Sequence, residues 1–173
     1  SIVIYPAADK MGSLMDSIAK TYQNKSDEWV VFDMVAYAGL NGKTVKTSEA
    51  AKENYINLII NELALNSASA SDRAKGELIL GALGIDTTEL TPYGSEESYN
   101  NAAKLQAMNM NVSYYVAPWI LLADEQGNVK LTNEQVQKLV KLLIDSQGTN
   151  GLCQGAYWGK SYDDVDTTGT ALA

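Results

Sequence analysis

Apolar residues recur along most of this chain at helical rather than strand spacing, which predicts helices joined by short polar turns. Between residues 6 and 22, Met11, Leu14, Met15, Ile18, Ala19 and Tyr22 fall three and four apart, on one helix face. Asp27 can cap a second segment, 28–38, where WVVFDMVAYA is apolar nearly all round and so predicts burial, with Gly39 ending it. Ser48 starts a third helix with Tyr55, Ile56, Ile59, Ile60, Leu63 and Ala64 on its face. Ser71 or Asp72 starts a fourth, which runs through Leu78, Ile79, Leu80 and Leu83 to Gly84. A fifth, 95–107, follows a Thr91-Pro92 turn. Pro118 lies inside the apolar segment 113–122 and marks either a helix start or a bend. Residues 132–144 are clearly amphipathic, and a last helix opens near Val165. Strand signals are weak: only the segments 2–5 and 29–32 read as β-prone, and burial explains the second better.

The pattern repeats. VFDMVAYAGLNGKTVKTSEAAKENYINLIINEL, from Val31, aligns with VAPWILLADEQGNVKLTNEQVQKLVKLLIDSQ, from Val116, so that Gly42 meets Gly127 and Ser48 meets Thr132. The apolar helices start near Asp27, Asp72, Ser113 and Asp163, at intervals of roughly 40 to 50 residues, the length of a stacked helical hairpin. An open α-solenoid leaves both helices of each pair half exposed. A closed α/α toroid buries one of them inside the ring, and the alternation of all-apolar with amphipathic helices favours that arrangement. The expected fold is therefore all-α, an α/α toroid, with the open solenoid as the alternative. About four pairs fit, so residues 1–173 read as a single, incomplete ring and a fragment of a larger protein.

Composition narrows the chemistry. A formal net charge of −8 argues against a nucleic-acid footprint, which needs clustered Lys and Arg. No apolar run reaches membrane-spanning length, so membrane insertion is not expected. The chain has no histidine, which removes Ser-His-Asp and Cys-His catalysis and every imidazole metal ligand. Acid–base work would fall to Asp, Glu, Tyr or Lys. Cys153 is alone and cannot form an intrachain disulfide.

The ending carries the most specific motif. Leu142-Leu143-Ile144-Asp145-Ser146-Gln147 precedes Gly151 and an aromatic turn with Trp158, then Asp164-Val165-Asp166-Thr167-Thr168. This order resembles the repeat of squalene and hopene cyclases, in the terpenoid cyclase and protein prenyltransferase toroid superfamily. Its acidic part resembles the Asp-x-Asp-Asp-Thr motif of class II terpene cyclases, with Thr167 in place of the third carboxylate. The resemblance implies Asp166 as a proton donor to an alkene, with Asp164 beside it. The prenyltransferase zinc set needs Asp, Cys and His; Cys153 is far from Asp166 and His is missing, so no metal and no cofactor are expected. The phrase DVDTTGTALA is most similar to non-catalytic relatives in secreted and wall-attached proteins of Gram-positive bacteria, which implies an extracellular or cell-surface location.

Two sets of side chains stand out. Asp163, Asp164 and Asp166 either cap a helix through its free N–H groups or serve a ligand or proton transfer. Ten Tyr stand against one Phe; Tyr37, Tyr114, Tyr115, Trp119, Tyr157 and Trp158 lie on or just before the expected inner helices. They either pack the ring's end or line a pocket that stacks a sugar, peptide or apolar ligand. The expected function is a non-catalytic binding or architectural module whose partner is a small molecule, glycan or protein. A class II cyclase-like enzyme fragment and a helical protein-binding scaffold are the alternatives.

Overall fold

The computed structural model describes residues 8–22, 25, 30, 33, 49–126 and 128–172. Tyr37, the caps Asp27 and Ser48, the aligned glycines Gly42 and Gly127, and the β-prone 2–5 and 29–32 (save Val30) lie outside them. The chain divides into two compact units, Ser1–Leu58 and Ile59–Ala173. In the first, α1 (Ala8–Tyr22) follows the predicted apolar spacing, and α2 (Glu49–Ala64) begins there and ends in the second.

The second unit contains α3 (Ala70–Ala82), α4 (Asn101–Gln106), α5 (Ala117–Gln126) and α6 (Asn133–Ser146). A β-hairpin, β1 (Cys153–Tyr157) and β2 (Lys160–Asp164), and the terminal α7 (Val165–Leu172) follow. Local chemistry sets the boundaries. Ser69 and Asp72 form a capping box at the start of α3, and Thr132 and Gln135 form another at α6. Thr132 is the predicted cap; the cap of α3 is Ser69, two residues before Ser71 and three before Asp72, the two predicted starts, because Asp72 is the third residue of the box rather than the cap. Gly84, at φ 75°, closes the end of α3 in the left-handed conformation. Pro118 sits in the first turn of α5, where its missing N–H is harmless, so the helix begins near it rather than bending.

Packing is centred on α5, which lies against α3, α6 and α7. Ile79 and Leu80 of α3, Leu105 of α4, Ile120 of α5, Leu139 of α6 and the loop residue Val129 are fully buried. The hairpin attaches through β1, which touches both α6 and α7. Among the described residues no helix is long and apolar enough to cross a membrane.

The all-α expectation is overturned, for closed toroid and open solenoid alike. Residues 153–164, predicted as an aromatic turn leading into the last helix, pair as two antiparallel strands in the register Cys153↔Asp164, Gly155↔Tyr162, Tyr157↔Lys160. The fold is mixed, helices plus a two-stranded sheet. The hairpin closes because Trp158 and Gly159 both take positive φ, 52° and 72°, as a two-residue turn between twisted strands requires. Its strands contain Gly, Lys, Ser and Asp, weak strand formers that gave no sequence signal. The fifth predicted helix also shrinks. Leu90 and Tyr99 exchange backbone hydrogen bonds at 2.9 and 2.8 Å, which holds residue 99 extended and delays α4 until Asn101.

Candidate functional site

The acidic ending folds as a helix cap. Asp164 ends β2 and immediately precedes α7. Its Oδ1 accepts from the Thr167 N–H at 2.9 Å, and its Oδ2 accepts from the Thr167 hydroxyl at 2.8 Å. The Tyr114 hydroxyl also donates to Oδ2, at 2.7 Å, joining the segment before α5 to the hairpin. Burial pushes the Asp164 carboxyl up, but the bonds from the Thr167 N–H, Tyr114 and Thr167 together outweigh it and hold the group below the ordinary range. Burial, and then the neighbouring carboxylate, push the Tyr114 phenol upward. Asp163, fully exposed, accepts from Gln154 at 2.6 Å and from Asn150 at 3.1 Å, and these bonds lower it. Asp166 is exposed in the first turn of α7, with its backbone carbonyl accepting from Thr170.

This geometry makes a prediction. In Tyr114→Phe the Asp164 carboxyl loses one of its donors and moves back up toward the ordinary carboxylate range. An acid held low contributes stability above its unfolded pKa and loses it as pH falls through the folded value. The acid-unfolding midpoint of the variant should therefore shift to higher pH, with about 1 kcal/mol lost near neutrality at this partly exposed site. Superimposable acid transitions by circular dichroism would show that the bond holds nothing.

The aromatic residues do not converge on one place. Tyr114 and Tyr115 meet edge-on, with centroids 5.5 Å apart. On α5, Trp119 has the Lys75 ammonium 5.4 Å from its ring centroid, a cation–π contact with α3. At the hairpin's closed end Tyr157 and Trp158 are also edge-on, at 6.0 Å. Trp158 is 86% exposed and Tyr157 70%. Tyr162 lies directly over Gly155, its cross-strand partner, where any Cβ would collide with the phenol ring.

A second constellation was not anticipated. Arg73 and Glu77, four apart on α3, point into the protein rather than into water, at 3% and 7% exposure. The Arg73 guanidinium donates to the carbonyls of Leu63 (2.8 Å) and Leu65 (3.0 Å), closing the end of α2, and to Asn101 Oδ1 at 2.9 Å. Asn101 Nδ2 donates onward to Glu77 Oε1 at 2.6 Å. The Thr87 hydroxyl donates to Glu77 Oε2 at 2.5 Å and accepts from Asn128 Nδ2 at 2.9 Å. Glu77 therefore receives only donors, although burial is the larger influence and raises its carboxyl above the usual value. It lies beside a cavity of about 270 Å³ whose lining also includes Gly81, Ala82, Ala123, Gln126 and Asn128. These residues are scattered from 73 to 128 in sequence, so no motif announces them.

Among the described residues no group of three or more His, Cys, Asp or Glu is placed to hold a metal ion. No family model, curated protein or solved structure matches the chain.

Proposed function

We propose that this chain is a non-catalytic recognition module of a secreted or cell-surface protein, and that the closed end of its β-hairpin stacks on a glycan. The carrying observation is Trp158, held at φ 52° and 86% exposed in a turn position that suits Asn or Gly. A bulky L-residue there stores about 1–2 kcal/mol of strain, and it gains no burial in return. Strain held at an exposed aromatic side chain is the pattern of a contact residue. Tyr157 and Tyr162, 70% and 50% exposed, extend the aromatic surface, and such rings stack on the C–H faces of pyranoses. The location rests on the resemblance of the ending DVDTTGTALA alone.

Trp158→Asn separates recognition from folding. The hairpin should become about 1 kcal/mol more stable, because Asn enters the left-handed region more readily. Binding of a chitin- or cellulose-derived hexasaccharide, followed by indole N–H shifts in the parent protein and by calorimetry in both, should be lost. A variant that binds the sugar as well as the parent, or that unfolds more easily, would sink the proposal.

A further inference from the structure

We infer that the cavity beside Glu77 is a binding site for a small organic cation, a primary or secondary ammonium on a short carbon stem. The site is separate from the hairpin and does not depend on its reading. Among the described residues that line the cavity, Glu77 is the one ionisable side chain. A carboxylate has about four acceptor positions. Two are filled, Oε1 by Asn101 and Oε2 by Thr87, which leaves acceptor capacity on a residue that borders the open space.

The surrounding network fixes the sign of the site. The Thr87 hydroxyl takes its proton to Glu77 because its oxygen already accepts from Asn128. Asn101 is oriented in the same sense, since its oxygen is claimed by Arg73 and only its NH₂ can face the carboxylate. Arg73 reaches Glu77 only through this carboxamide, which leaves the carboxylate able to take a second, external cation. Thr87 and Asn101 have no exposed surface, so the arrangement is preorganised.

The rest of the lining selects the class of cation. Ala82 and Ala123 offer methyl groups to a carbon stem, and Gln126 and Asn128, both exposed, offer carboxamides at the mouth. A hard metal ion would need six or more oxygen ligands, which the one carboxylate and two carboxamides among the described lining residues do not supply. The volume of about 270 Å³ lies at the small end for ligand cavities and suits a molecule of few heavy atoms. Gly81 keeps the wall open: a Cβ there would meet nothing within 4 Å, so a larger side chain would occupy the space without disturbing α3.

Titration of the whole chain with n-butylammonium chloride, followed by amide chemical shifts, tests this, with n-butanol as the isosteric neutral probe. The ammonium should give saturable shifts at Gly81, Ala123 and Asn128, and the alcohol should bind roughly tenfold or more weakly, a loss of one ion pair's worth of affinity. Gly81→Leu leaves the hydrogen-bond network intact and should weaken ammonium binding by a similar factor; Glu77→Gln should do so as well. Trp158→Asn should leave it unchanged, which keeps failure here distinct from failure at the hairpin. Equal binding of ammonium and alcohol, unchanged affinity in Gly81→Leu, or no saturable shift with the ammonium would each overturn the inference.

Discussion

Replacing Arg73 with Met should destabilise the second unit by about 3–5 kcal/mol, the range for removing one partner of a buried charged network. Met fills much of the same volume, so the loss reports on polar pairing rather than on a cavity. The Leu63 carbonyl at the end of α2 loses its donor, and the Leu65 carbonyl keeps only the Ala68 N–H, at 3.2 Å. Asn101 loses the donor that holds its oxygen, and Glu77 loses the positive charge relayed to it. Small domains hold only about 5–15 kcal/mol in total, so urea unfolding should show a large drop in midpoint. A loss under about 1 kcal/mol would mean that water replaces the guanidinium at low cost, and that the network does not organise the core.

Ile120→Ala should be comparably severe, at about 2–5 kcal/mol. Ile120 has no exposed surface and sits on α5, the helix against which α3, α6 and α7 all pack. The lost methyl groups leave a void between elements that cannot all close on it together. Thermal unfolding should fall by about 10 °C or more for a unit of this size. A shift of only a degree or two would show that the interface relaxes around the gap, and α5 would lose its place as the centre of the packing.

Helical spacing made most of the helices legible, because a buried helical face repeats every three or four residues whatever it packs against. Thr132 was readable as a cap for the same local reason, and the carboxylates near Val165 marked a helix start that Asp164 does cap. The hairpin was not readable. Its closure depends on Trp158 in a conformation that sequence statistics reserve for Asn and Gly, and its strand residues have low β propensity. An array inferred from helix spacing then had no place for a sheet. The Glu77 network was hidden for another reason. Arg73 and Glu77 lie at the i, i+4 spacing of an ordinary exposed ion pair. Nothing local shows that Asn101 and Thr87 close over them, since those contacts join residues up to 28 positions apart.

The hydroxyl of Thr168 binds the last helix to the sheet. It donates to the Asp164 carbonyl at 2.6 Å and accepts from the Cys153 amide at 2.9 Å, touching the end of one strand and the start of the other. An eight-residue helix is far too short to persist alone in water. The helix and the hairpin therefore form one cooperative segment. The tip that presents Trp158 inherits its rigidity from a threonine at the opposite end of the strands.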